Sequence, residues 1–447
     1  MSGPSAPASI RSPVSSSQGD GTGPSHTSSL VTLTTLFFAW GFLTCLNDVI
    51  IPHLKAVFSL SYFQAMLVQF CFFGAYGIMS VPAGGLVKRI GFKRGIVVGL
   101  LGAAAGCVAF FPAAALRSYG LFLTAFFVMA TGIVVLQVSA NPFVTILGPP
   151  RTASSRLTLT QAFNSLATTL APRFGSAFIL STVALSATEI AALSPTAADA
   201  YRVAEAHSVQ TPYLGLAVAL AVLAVVVAIS KLPTVDTSSS DEGTDARLAD
   251  RGNAWRYPHL VLGAVGIFAY VGAEVTIGSF LVNYLKEPYM LALPESQGAG
   301  YLSYYWGGAM VGRFIGTFTL RWYRPSRVLL IHAIAAVGLV LLSVVTSGGP
   351  AAWFVIAVGL FNSIMFPAIF AMAVDGLGRH TEQGSGILCM AIVGGAIIPA
   401  LQGVLADRLG LHISFVLPAV CYVYVAWYGL RGNAHLNVIG SPQSSTV

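Results

Sequence analysis

The chain has 447 residues, of which 55% are hydrophobic and only 9% are charged. A soluble globular protein carries about 25% charged residues, so this composition excludes a molecule with a water-facing surface all round. The formal charge of +7 is spread over short connectors, which suits a membrane surface and not the concentrated basic face that nucleic acid requires.

The chain opens with a tail, 1–29, rich in Ser, Pro and Gly, which reads as disordered and cytoplasmic and not as a cleaved signal peptide. Crossing a hydrocarbon core takes about 20 apolar residues. Twelve runs meet that length, at 30–51, 62–86, 95–115, 119–147, 157–183 and 212–231, then at 258–283, 298–320, 327–346, 352–374, 385–405 and 413–431. The hydrophilic stretch "PTVDTSSSDEGTDARLADRGNAWR" lies between the sixth and seventh and has the composition of a linker. The expected organisation is therefore a six-helix half (30–231), a cytoplasmic linker (232–257), a second six-helix half (258–431) and a cytoplasmic tail (432–447). Connectors after spans 2, 4, 6, 8 and 10 hold fourteen of the 23 Lys and Arg residues, and the alternate connectors hold five. This asymmetry places both termini in the cytoplasm. Arg173 and Arg313 fall within spans, and Arg173 has no evident role. The five cysteines fall singly in apolar runs with no CxxC pair, so they read as small core residues and no metal site is expected.

Ionisable and amide residues inside spans are costly in hydrocarbon and point to a cavity. Span 1, "FFAWGFLTCLNDVIIPHL", carries Asn47 and Asp48, and a short Asp cannot snorkel as Lys or Arg does. Thr44 lies one turn before Asp48 and Gly41 about two turns before it, which opens a polar groove. Span 4, "GIVVLQVSANPFVTILGP", spaces Gln137, Asn141 and Thr145 four apart, so they share one stripe, and Pro142 removes a backbone donor there. Span 5 begins "LTLTQAFNSLATT", with Gln161, Asn164, Ser165 and Thr168 on one face. Span 7, "YVGAEVTIGSFLVNY", puts Glu274 near its middle, with Tyr270 one turn before and Gly278 one turn after. Span 10 places Asn362 beside Phe366 and Phe370, an amide next to an aromatic wall; Trp40, Tyr305 and Trp306 are further stacking candidates. Amides, hydroxyls and carboxylates with aromatic faces suit a ligand bearing many hydroxyl groups.

The strings "FFAWGFLTCLNDVIIPHL", "LQVSANPFVTILGP", "LTQAFNS", "GRFIGT" and "FPAIFAMAVDGLG" resemble the fucose–galactose–glucose permease family, a branch of the major facilitator superfamily. "YVGAEVTIGSFLVNY" is similar to its glucose/galactose members. The loop "GGLVKRIGFKR" resembles the superfamily signature but has Lys88 where an acid is usual. The resemblance implies an all-α major facilitator fold with twelve transmembrane helices in two halves. It also implies a multi-pass protein of the bacterial inner membrane that imports a monosaccharide with a cation by alternating access. It matches Asp48 to the family's span 1 carboxylate, implicated in proton coupling and sugar binding, and Gln161 and Asn164 to its span 5 motif. Gln137 stands where the fucose permease has a second acid, and Glu274 where that permease has an amide.

The expected substrate contacts are Asn47, Gln137, Asn141, Gln161, Asn164, Glu274 and Asn362, with Asp48 and Glu274 holding the coupling cation. That cation is a proton, with sodium as the alternative; fucose or N-acetylglucosamine are the alternative sugars. No cofactor is expected, and the partners are a monosaccharide and the lipid bilayer around a functional monomer. Enzymatic activity is not expected: GxxxxGK[ST], HExxH and GxSxG are all missing from the sequence. The reading from a different class is a membrane sugar sensor that does not transport.

Overall fold

The computed structural model describes residues 29–44, 62–116, 118–178, 192–197, 200–201, 210–230, 232, 252–293 and 295–440. The first half contributes α1 (Ser29–Thr44), α2 (Tyr62–Ile90), α3 (Phe92–Ala115), α4 (Tyr119–Ile146), α5 (Ala153–Phe178) and α6 (Gln210–Ile229). The second half begins with α7 (Pro258–Lys286), α8 (Glu295–Trp322) and α9 (Pro325–Val345). Its tenth span is two helices, α10 (Gly348–Asn362) and α11 (Met365–Val374). Its eleventh is also two, α12 (Thr381–Met390) and α13 (Gly394–Leu409), and α14 (Val416–Gly440) completes the second half.

Local chemistry explains where these helices begin and end. α7 and α9 start with Pro258 and Pro325, whose fixed φ suits the first turn and whose missing N–H costs nothing there. Ser118 caps α4 by accepting from the Leu121 amide. Single glycines with positive φ turn the chain between α2 and α3 (Gly91, φ 80°) and after α13 (Gly410, φ 87°). That backbone region strains any residue with a Cβ.

Nine helical segments among the described residues are long and apolar enough to cross a bilayer. The three remaining spans are α1, whose described part is short, and α5 and α8, which have the length but carry too many polar groups. The spans that fall short of the hydropathy of their neighbours thus include two that bring polar groups inward. Large apolar side chains stand exposed on α3 (Val98, Leu101, Val108), α6 (Val218, Val222, Val225) and α9 (Ile331, Ile334, Leu341). Those stripes face lipid, where an apolar side chain needs no cover.

Within each half the helices close on small residues. Gly95, Gly99 and Gly106 of α3 lie so close to α4 that a side chain at any of them would strike its backbone or Ser139. Between the halves, α2 packs on α12 and α5 on α8. These contacts concentrate at the end of the bundle that bears Lys88, Arg89, Arg151 and Arg321 in its helix ends. At this basic end the Ser155 hydroxyl donates to the Thr317 carbonyl across the halves at 2.6 Å.

Candidate functional site

The second half assembles its polar groups around Glu274, which is 8% exposed in the middle of α7. The guanidinium of Arg313 on α8 lies 3.8 Å from one carboxylate oxygen, an atom with no hydrogen bond of its own. Tyr270, one turn earlier on α7, is buried beside the same carboxylate. Tyr305 of α8 donates to the Glu274 backbone carbonyl at 3.1 Å, and Asn362 of α10 donates to the Tyr305 hydroxyl at 2.8 Å. The Asn362 carbonyl oxygen is buried without a partner, as is the Tyr422 hydroxyl beside it. A chain of donors thus runs from Asn362 through Tyr305 to α7, and leaves three buried oxygens with unused capacity. Unused capacity is what a hydroxylated ligand or a proton requires.

Arg313 reaches its position because α8 and the α10–α11 break are built for close approach. Gly308, Gly312 and Gly316 face Leu360, Ser363 and Ile364, and a Cβ on Gly312 would sit 2.5 Å from both the Leu360 carbonyl and the Ser363 hydroxyl. Pro367 has no N–H to give the Ser363 carbonyl, so that oxygen is left over from the helix. Arg313 Nε donates to it at 3.4 Å, and a second guanidinium nitrogen donates to the Ser165 hydroxyl of α5. One side chain therefore joins an acid, a helix break and the opposite half.

In the first half, Gln137 of α4 donates to the Tyr76 hydroxyl of α2 at 2.6 Å, and both residues are buried. Asn141, one turn on, is fully buried with both amide atoms unpartnered. Gln161 is buried on α5. Asn164 donates to the Phe37 carbonyl of α1 at 2.8 Å, and Gly41 lets the two helices close around that amide. Phe366 and Phe370 stack on each other at 5.8 Å between centroids on α11, which follows Asn362 across the helix break. Trp40 packs against Phe37, and Trp306 against Tyr305 and Gly278. Asn47, Asp48 and the Arg173 side chain lie outside the described residues.

The structure thus gathers Glu274 and Asn362 in one cluster and joins Gln161's neighbour Ser165 to it through Arg313. It sets Gln137 and Asn141 on α4, where α4 meets α12 of the second half. Sequence reasoning placed Arg313 within a span and gave it no partner. It did not single out Tyr76 or Tyr422. A basic residue inside an otherwise apolar helix was the available signal for Arg313; an isolated tyrosine in a membrane helix carries no comparable signal.

Twelve spans in two halves, with buried acid, amide and hydroxyl groups where they meet, define a membrane carrier of the secondary-transporter type. The Major Facilitator Superfamily profile matches residues 31–392, and the chain belongs to that superfamily. It is 57% identical over 406 residues to a glucose/galactose transporter of Brucella abortus, covering 90% of this chain and 94% of that one. It is 34% identical over 400 residues to the L-fucose-proton symporter of Escherichia coli, covering 88% and 90%. A crystal structure of the transporter FucP in the outward conformation superposes with a TM-score of 0.83 at 32% identity, over 92% of this chain and 99% of that chain. These matches place the chain in the fucose–galactose–glucose permease branch, as a multi-pass protein of the bacterial inner membrane and not an enzyme.

Proposed function

We propose that the chain imports a hexose of the glucose/galactose type by symport with a cation, through alternating access of its two halves. The observation that carries this reading is the linkage of Glu274 through Arg313 to Ser165 in the other half. A buried acid tied in this way senses a ligand and reports it to the interface. The relatives named for glucose/galactose and for L-fucose with a proton support the substrate class and the coupling.

In this reading Gln137, Asn141, Gln161, Asn164, Glu274 and Asn362 receive the sugar, together with Asn47. Its apolar face lies on Phe366 and Phe370. Arg313 keeps Glu274 charge-compensated, which disfavours a second fixed cation beside it. The coupling proton therefore falls to Asp48, and Glu274 serves as hydroxyl acceptor. No other cofactor enters this reading. The working unit is a monomer, divided at the 232–257 linker, with both termini in the cytoplasm. Counterflow of labelled hexose in proteoliposomes tests transport itself, and binding without counterflow would identify a sensor. Imposing a pH gradient and then a sodium gradient on the same vesicles identifies the ion; accumulation driven by sodium alone would overturn the proton assignment.

A further inference from the structure

Pro142 and Pro367 occupy matching places in the two halves. Each follows an amide by five positions, Gln137 and Asn362, and each amide donates to a tyrosine hydroxyl on the second helix of its own half. Each proline also withholds the N–H that the carbonyl four residues earlier would accept, so Val138 and Ser363 have free carbonyls. Away from water such a group must find another donor. Both have found one, and the donors differ. Ser363 is served by Arg313 of its own half, which in turn holds Ser165. Val138 is served directly by the other half: the Ser385 hydroxyl of α12 donates to it at 2.8 Å, with both residues fully buried.

The surroundings of this second contact admit nothing between the halves. A Cβ on Gly386 would lie 2.7 Å from the Ser80 carbonyl, and one on Gly84 would lie 2.9 Å from the Glu382 carbonyl. The backbones of α2 and α12 therefore touch where Ser385 reaches across to α4. Opening the basic end must break this hydrogen bond, because its donor and acceptor belong to different halves.

We propose that Ser385 is a positioning residue of the transport cycle: its hydroxyl docks the second half onto the carbonyl that Pro142 frees in the first, and so holds the basic end closed. The bond is neutral at both ends, so it biases the equilibrium between closed and open forms by about fivefold and does not lock it. The counterpart at Ser363 is served by a charged donor that also faces Glu274, whereas the Ser385 contact joins a hydroxyl to a carbonyl and sets the resting bias.

The chain carries its own reporters for the test. Cys389 lies one turn beyond Ser385 on α12, buried beside Asn141 of α4, and so becomes accessible only when the halves part. Cys107 is buried inside the first half against Met129, away from the junction. Alkylation by N-ethylmaleimide is followed at both cysteines by mass spectrometry in membrane vesicles. Ser385→Ala is expected to speed alkylation of Cys389 by about fivefold with Cys107 unchanged. Pro142→Ala leaves Ser385 in place but returns an N–H to the Val138 carbonyl, and is expected to act in the same direction. A wild-type rate at Cys389 in Ser385→Ala overturns the proposal, as does a parallel rise at Cys107, which would mark general loosening.

Discussion

Replacing Arg313 by Met removes the charge and the three hydrogen-bonding nitrogens while keeping most of the side-chain length. The Glu274 carboxylate, 3.8 Å away with the two side chains 11% and 14% exposed, then remains buried with no opposite charge. At an effective dielectric constant of about 20, the lost attraction is ~4 kcal/mol. This agrees with the ~3–5 kcal/mol typical of breaking a buried pair from one side. Glu274→Gln leaves Arg313 its bonds to Ser165 and the Ser363 carbonyl, so it is expected to cost less. With both changes made together, neither charge is stranded, and the double variant should be more stable than the sum of the singles by ~2–4 kcal/mol. Reversible unfolding in lipid–SDS mixed micelles, followed through the six tryptophans, measures all four corners of the cycle. Additivity within ~0.5 kcal/mol would refute the pairing and return Glu274 to the role of coupling acid.

Asp48→Asn is expected to abolish gradient-driven accumulation while sugar counterflow persists, since an amide cannot carry a proton; a variant that still concentrates hexose would contradict this. Gln137→Ala should weaken sugar binding by ~1–3 kcal/mol in calorimetry, and an unchanged affinity would place Gln137 outside the pocket. Glu274→Gln should lower affinity strongly yet keep sugar-induced proton uptake, and normal binding with lost uptake would reverse the two acids' roles. Gly312→Val sets a branched side chain against Leu360 and Ser363, forcing α8 off the α10–α11 break. Its thermal stability in detergent should fall markedly, and a wild-type melting temperature would show that α8 does not approach as closely.

Much of this protein was legible one residue at a time. Lipid as solvent imposes a uniform demand for some 20 apolar residues per crossing, so the starts of α2, α4 and α7 agree with the expected spans 62–86, 119–147 and 258–283. Glu274 and Asn362 declared themselves because a polar group in hydrocarbon is expensive and therefore conspicuous. Pro142 declared a missing donor in the same way, although the acceptor it frees could not be matched to a new donor by spacing along one helix. Ends and interruptions were less legible: the tenth and eleventh spans each read as one apolar run, yet the chain breaks at Ser363–Ile364 and again at Ala391–Val393.

What only the tertiary structure decided is which polar group meets which. Arg313 is 39 positions from Glu274, and Ser385 is 247 positions from Val138, and no periodicity reaches across such separations. Nor could sequence tell that Asn164 spends a donor on the Phe37 carbonyl of α1, or that Gln137 spends one on Tyr76. The cause is physical. Hydropathy sets whether a helix lies in the membrane, and it acts on each segment separately. The partner of a buried hydrogen-bonding group is set by how helices rotate and close on one another, here through Gly84, Gly312 and Gly386, and that is a property of pairs of segments.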